Sequence, residues 1–305
     1  MRVRVLGSAA GGGFPQWNCG CPNCRGVRQG SVRATPRTQD SLAVSADGAS
    51  WFLLNASPDV RAQIEVTPAL QPRAPRDSPI CGVVLTNGDL DHCLGLFSLR
   101  EAQPLRIYAT AAVQRGLREH NAFCRTLERF DGHTRWSTLE PAARVPLLDE
   151  HGQPSGLSVA AIPAPGKLPI HLEGLLPAVD DDNVALAIHD ERSRRALVYA
   201  PAVAERSPRL EAALREADCV LFDGTFWSSD ELVQLGLGER RAEDMAHWPV
   251  GGPSGSLQFL AGLPGRKLLT HVNNTNPLLI DDSPERRAAA RLGVELAADG
   301  MELVP

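Results

Sequence analysis

The chain of 305 residues has no run approaching the roughly 18 consecutive apolar residues that a membrane-spanning helix needs, so insertion into a membrane is not expected. It also lacks a basic stripe. The net charge is −5 and the arginines stand among acids, as at Glu205 to Arg209 and Arg240 to Asp244. Neither nucleic acid nor an anionic membrane surface is therefore an expected partner. No sequence repeat and no low-complexity tract occurs, which removes solenoids and long linkers. A signal-peptide core is missing too: Met1-Arg2-Val3-Arg4-Val5-Leu6-Gly7 reads as a short first strand, and a cytoplasmic location is the expectation.

What is present is a globular composition, 43% apolar and 22% charged. Length alone suggests two domains of ordinary size. Short β-rich runs recur at 2–6, 41–45, 51–55, 82–85 and 106–109, then at 157–162, 184–188, 196–199, 219–222 and 267–270. Helical periodicity marks 111–122, 208–217, 255–260 and 284–292. Strands in meander-like groups, with helices near the end of each half, predict an α+β chain of two mixed sheets packed together with helices outside. Pro- and Gly-rich stretches at 68–79, 163–169 and 249–254 read as surface loops around one body.

The seven cysteines are an odd number, and "WNCGCPNC" sets Cys19, Cys21 and Cys24 as C-x-C-x2-C in a Gly-, Pro- and Asn-rich loop. Without an export signal, such a cluster points to a metal clip and away from disulfides. Thiolates bind zinc at about 2.3 Å, and a closed tetrahedron takes a fourth ligand from elsewhere in the fold. The loop over 17–26 is therefore expected to hold a structural zinc with no open position for catalysis.

"TNGDLDHCLGL", residues 86–96, follows the apolar run Cys81 to Leu85. If the backbone stays extended, Asn87, Asp89 and Asp91 share one side, with His92 at the bend into a helix beginning near Leu94. Gly95 lets the next element approach closely. Asp223 and His271 sit just past other apolar runs, at strand ends where mixed α/β proteins build sites, and His247 lies in the loop "MAHWPV". The remaining histidines, His120, His133, His151, His171 and His189, occupy polar contexts and are expected to be solvated.

These segments resemble known ones. Hydrolases of the metallo-β-lactamase fold carry H-x-H-x-D-H after a strand, and "NGDLDH" fills that slot. A fuller resemblance is to the coenzyme PQQ synthesis protein B family, through "LGSAAGGGFPQWNCGCPNC" (6–24), "NASPDVRAQI" (55–64), "TNGDLDHCLGLFSLRE" (86–101), "FDGTFW" (222–227) and "THVNNTNPLL" (270–279). The resemblance implies one αββα sandwich domain over 1–305, in place of the two that length suggests. It also implies a part in making pyrroloquinoline quinone (PQQ), a redox cofactor derived from the Glu and Tyr side chains of a peptide. A peptide-derived PQQ precursor and other PQQ-biosynthesis proteins are the implied partners. Related phosphodiesterases complete a three-cysteine zinc clip with a His three positions after the last active-site His. Here that offset reaches Asn274, so either Asn274 gives an oxygen ligand or the fourth ligand is another group.

Departures from the hydrolase pattern weigh more than the matches. Asn87 and Asp89 replace the first two histidines, the downstream His position falls near Pro165, and the metal-bridging Asp falls near Ala200. Asp91, His92 and His271 survive, and two histidines with one carboxylate are the ligand set of non-haem Fe(II) sites that keep open positions. The resemblance therefore implies an iron-dependent oxygenase that hydroxylates the tyrosine ring of a Glu-Tyr-derived precursor. Asp89, Asp223 and His247 would orient ligands or exchange protons. Two other readings stay open. One is a single-metal hydrolase in which zinc lowers the pKa of a bound water; the other is a non-catalytic carrier tied to transport of PQQ or its precursor to the periplasm.

Overall fold

Two seven-stranded sheets carry the fold in the computed structural model, which describes residues 1–101, 103–141 and 143–305. The first sheet holds β1 (Arg2–Gly7), β2 (Ser41–Ser45), β3 (Trp51–Leu54), β4 (Ile80–Val84), β5 (Leu105–Ala109) and β6 (Thr134–Thr138). The second holds β7 (Arg144–Leu148), β8 (Pro154–Pro163), β9 (Val184–Asp190), β10 (Ala196–Ala200), β11 (Cys219–Asp223), β12 (Arg266–Thr270) and β13 (Val294–Leu296). A short last strand, β14 (Glu302–Leu303), returns to pair with β1. Each sheet is antiparallel in one half and parallel in the other. β1 to β3 pair antiparallel and β3 to β6 parallel; β7 to β10 pair antiparallel and β10 to β13 parallel. The helices are α1 (Pro22–Gln29), α2 (Val60–Glu65), α3 (Leu90–Cys93), α4 (Ala111–Glu119), α5 (Pro208–Glu216), α6 (Glu231–Gln234), α7 (Ser256–Ala261) and α8 (Pro284–Arg291).

Period-two alternation explains the layering. In β10, Leu197 and Tyr199 enter a core between the sheets with Val5, Leu54 and Val84, while Val198 and Ala200 point to the opposite face. On that outer face Leu210 and Leu214 of α5 and Leu257 and Leu260 of α7 complete a second cluster. Val60 of α2 and Val113 and Leu117 of α4 cover the outward Leu53, Val83 and Ile107 of the first sheet. The result is the αββα sandwich that the family resemblance implies. Local signals set the helix starts: Ser207 and Ser283 accept from the N–H groups of Leu210 and Arg286, with Pro208 and Pro284 as the first helical residues.

Several details differ from the sequence reading. Strands β6 and β7 show no clean alternation of buried and exposed residues, and β13 and β14 have only 3 and 2 residues, so none of the four is visible as a periodic run. Residues 22–29 are helical and not loop, because the Cys21 sulfur accepts from Cys24 N–H and Pro22 opens the turn. β4 stops at Val84, and residues 87–91 do not continue it. Asn87 Oδ1 accepts from Asp89 N–H at 3.0 Å, a local bond that breaks the strand, and α3 begins at Leu90 instead of near Leu94. Gly95 does permit the close approach expected of it, since a Cβ there would lie 2.2 Å from the Ser57 carbonyl oxygen. Among the histidines expected to be solvated, His133 is buried and His171 and His189 are half-buried.

Candidate active site and cysteine clip

The C-terminal ends of β4, β11 and β12 supply the site. Asp91 and His92 arrive on α3 after β4, Asp223 is the last residue of β11, and His271 follows β12. Ligand atoms of Asp91, His92 and His271 lie within 4.8 Å of one another, and so do those of Asp223, His247 and His271. His271 thus joins five of the six residues singled out from sequence into one cluster. Asp89 stands outside both trios but lines the same cavity of about 230 Å³.

Each of the three imidazoles of the site is held by its Nδ1. His92 Nδ1 is 2.8 Å from Asn87 Oδ1, an acceptor, because the other half of that amide donates to Asn183 Oδ1 at 3.0 Å. His271 Nδ1 is 2.9 Å from the Thr225 hydroxyl, which itself donates to Asp223 Oδ1 at 2.7 Å. His247 Nδ1 is 2.7 Å from Asp223 Oδ2, and its ring stacks on His271 with centroids 5.5 Å apart. With the protons on Nδ1, the Nε2 lone pairs are left for the pocket. His92 Nε2 is buried and has no hydrogen-bond partner. The ring nitrogens of His133 and His171 are unpartnered too, but that of His92 stands beside two further ligand-type side chains, Asp91 and His271.

Asp91 Oδ2 is 3.2 Å from His271 Nε2 and 3.9 Å from His92 Nε2. Adjacent ligands at bonds of about 2.1 Å sit about 3.0–3.4 Å apart, so these atoms fit around one cation with little contraction. The charges agree. Burial alone would raise the Asp91 carboxyl, yet His92 and His271 hold it well below the usual range. Burial lowers His92 to about 4 against the pull of Asp91, whereas His271 is raised to about 9 because Asp91 outweighs its burial. A divalent cation would take the place of the His271 proton. Burial, and then the charge of Asp91, raise Asp89 to about 6. Asp223 is also buried, but His247 and His271 keep its carboxyl low.

Two backbone positions show strain that the surroundings enforce. His271 (φ 54°) and Ala246 (φ 63°) both occupy the left-handed region, a cost on the order of 1–3 kcal/mol each. Bonds from Val272 N–H to the Ser8 carbonyl and from Gly224 N–H to the Thr270 carbonyl fix the turn that aims His271. Around the cavity, Gly166 and Ala202 form wall positions just past Pro165 and Ala200, where the hydrolase pattern puts its third His and bridging Asp. Neither has a donor side chain.

At the clip, the sulfurs of Cys19, Cys21 and Cys24 also lie within 4.8 Å of one another. The Asn274 amide caps their triangle, with Nδ2 at 3.1, 3.6 and 3.3 Å from them in that order. A half-turn of that amide presents Oδ1 at the same vertex. Asn23, on α1, donates to the carbonyls of Asn274, Thr275 and Asn276, which locks the cysteine loop to the segment after β12. Burial raises Cys21 to about 11, while hydrogen bonds from Cys21, Cys24 and Asn274 outweigh burial and lower Cys19. A cation at the centre would favour three thiolates together.

The beta-lactamase superfamily domain model matches residues 50–272. Coenzyme PQQ synthesis protein B of Azotobacter vinelandii is 44% identical over 312 residues, covering 99% of both chains, and that of Cupriavidus necator is 48% identical over 307 residues, covering 99% of this chain and 98% of its own. The chain belongs to the coenzyme PQQ synthesis protein B family. Zn(2+)-bound PqqB from Methylobacterium extorquens superposes with a TM-score of 0.91 at 38% identity over 100% of both chains. A diphosphatase of the PhnP family, at 18% identity and a TM-score of 0.67 over 100% of this chain and 97% of its own, shares the fold. Family membership places the chain in PQQ biosynthesis on a metallo-β-lactamase fold.

Sequence reasoning missed the supporting residues of this family site. Thr225 carried a signal, because a hydroxyl two positions after Asp223 suits a local turn, and its N–H and Oγ1 both bond Asp223 Oδ1. Asn87 was visible only as a lost histidine. Asn183, which bonds Asn87 across the two sheets, had no local signal at all.

Proposed function

We propose that the chain hydroxylates the tyrosine ring of a Glu-Tyr-derived PQQ precursor as a mononuclear Fe(II) oxygenase, with Asp91, His92 and His271 holding the metal. One observation carries this reading: the buried, unpartnered Nε2 of His92 stands beside Asp91 and His271, while Asn87 and Asp89 stand where the hydrolase pattern has its first two histidines and the wall just past Pro165 and Ala200 offers only Gly166 and Ala202. The zinc-bound relative supports divalent-metal binding. Bound at this trio, with coordination positions left open, Fe(II) would supply activation of dioxygen for ring hydroxylation.

The rest falls to the chain's own residues. Asp223 fixes the His247 ring, so that Nε2 of His247 can take or give a proton at the pocket. The Asp89 carboxyl lines the pocket and, held near 6, can accept a proton from the ring or its hydroxyl close to neutral pH. Asn87 and Thr225 hold the two metal-binding imidazoles in one tautomer. Cys19, Cys21, Cys24 and Asn274 hold a separate structural zinc, and the whole of 1–305 serves as one domain. The precursor and other proteins of the pathway are the proposed partners. No helix among the described residues is long and apolar enough to cross a membrane.

The test is anaerobic reconstitution with Fe(II), then addition of oxygen and a Glu-Tyr dipeptide. Oxygen uptake that depends on the dipeptide, with a product heavier by oxygen, is expected, and His92→Ala or His271→Ala should abolish it. Turnover without oxygen, or by the zinc form alone, would favour the hydrolase instead. Absence of turnover in every metal form, with tight PQQ binding unaffected by the two substitutions, would favour the carrier.

A further inference from the structure

The cavity at the metal ligands is not closed. A second cavity of about 680 Å³ adjoins it, and Gly166, Lys167 and Asn183 line both. The first, at about 230 Å³, is smaller than the roughly 300–1,000 Å³ of ordinary ligand sites. A substrate with its ring among the metal ligands has the larger cavity beside Lys167 to extend into. The wall opposite is fixed: a Cβ on Gly166 would come within 2.7 Å of Asn183, whose amide nitrogen bonds the carbonyls of Ala164 and Ala202. Lys167 thus lines the junction beside a wall with no room for a larger residue at 166.

Lys167 is one of two lysines in the chain and the sole Lys or Arg lining the metal cavity, whose other charged walls include Asp89 and Asp91. It is half-buried, and none of the ion pairs or hydrogen bonds among the described residues uses its ammonium. An ammonium on a flexible stem, in no such hydrogen bond or ion pair and with only the longer-range charge of Asp89 acting on it, is suited to a carboxylate brought by the ligand. The outer cavity carries Arg209 together with Asp180, Asp182 and Glu205, a mixture that matches a molecule bearing both amine and carboxylate groups.

We propose that Lys167 binds a carboxylate of an amino-acid-derived substrate at the junction of the two cavities, and so sets how far the aromatic ring enters the metal site. This rests on the oxygenase reading for the identity of the ring, but its test needs no turnover. Binding of Glu-Tyr is measured by calorimetry on zinc-loaded protein, for wild type, Lys167→Met and Lys167→Arg, alongside Gln-Tyr-amide, which lacks both carboxylates. Loss of a charge-assisted bond predicts about 10- to 100-fold weaker Glu-Tyr binding by K167M, with K167R within about threefold of wild type. Gln-Tyr-amide should bind all three alike, which a merely structural role of Lys167 would not produce. Equal Glu-Tyr affinity in wild type and K167M, or no saturable binding by the wild type, overturns the proposal. Lysine-dependent binding without oxygen uptake would instead sink the oxygenase reading and leave this one standing.

Discussion

Replacing Asn87 by Ala isolates the support of one metal ligand. The substitution removes the acceptor 2.8 Å from His92 Nδ1, the acceptor 3.0 Å from Asp89 N–H, and the donor to Asn183 Oδ1. All three bonds are buried or nearly so, at about 1 kcal/mol each, and more where a partner is left unpaired, so the fold should lose roughly 3 kcal/mol. Left with only the Thr86 hydroxyl, 3.2 Å from Nδ1, the His92 ring can rotate or shift its proton to Nε2, where the metal should bind. Losing such a partner costs about 10- to 100-fold in metal affinity. Asn87→Asp supplies the control at His92, because one carboxylate oxygen still accepts from His92 and from Asp89 N–H, while the change is confined to the second oxygen, which faces Asn183 Oδ1 in place of a donor. Competition against a chromophoric chelator, with the cysteine clip already loaded, reads the affinity of the second site. The expectation is a loss of at least about tenfold for the Ala variant and less than about threefold for the Asp variant. A folded Ala variant that binds metal within about twofold of wild type would refute the role given to Asn87.

Cys24→Ser should lower bound metal by one equivalent and lower the thermal midpoint by several degrees, roughly 2 kcal/mol or more of stability, since Cys24 is fully buried; elemental analysis showing unchanged metal would remove the clip. Glu231 is buried with its carboxyl raised to about 7 by desolvation, against bonds from Thr275 and Trp227 N–H. A raised carboxyl favours the folded state fully below about 4.5 and loses that contribution as pH rises through about 7, on the order of 3 kcal/mol in all. Denaturant unfolding from pH 5 to 8 should therefore show a smaller loss of stability in Glu231→Gln than in wild type; parallel profiles would contradict this.

The sheets were legible in the sequence because their central strands are apolar on both faces. Cys219 to Phe222 and Lys267 to Thr270 stand out as runs, and the structure puts both in the parallel half of the second sheet. The edge strand β6, with half-buried and exposed residues throughout, offers no such contrast. At the site, ligand-type residues could be recognised one by one, but their grouping could not. Asp223 and His247 are 24 positions apart, and Asp91 and His271 are 180 apart, yet each pair meets at a hydrogen bond. The extended reading of 87–91 failed because Asn87 bonds its own backbone two residues on, and that competes directly with strand pairing.

The lost histidines are best understood as changes of work. As a neutral amide, Asn87 accepts from His92 and donates to Asn183, two tasks that a metal-bound imidazole could not perform together. Behind it runs a buried chain. Thr86 Oγ1 lies 3.2 Å from His92 Nδ1 and donates to Asn55 Oδ1, the Asn55 amide donates to the Tyr199 oxygen at 3.2 Å, and Tyr199 donates to Asp40 at 2.7 Å. Asp40 also accepts from Thr270, the residue before His271, at 2.6 Å. The supports of His92 and His271 therefore meet at one carboxylate between the two sheets. Such a network, with its members satisfied, rigidifies the side chains it joins. It ties the spacing of the two imidazoles to the spacing of the sheets. Because Asn55 reaches Tyr199 from the left-handed region at φ 62°, where Asn is tolerated and most residues are not, the tie has a residue-level origin in the sequence.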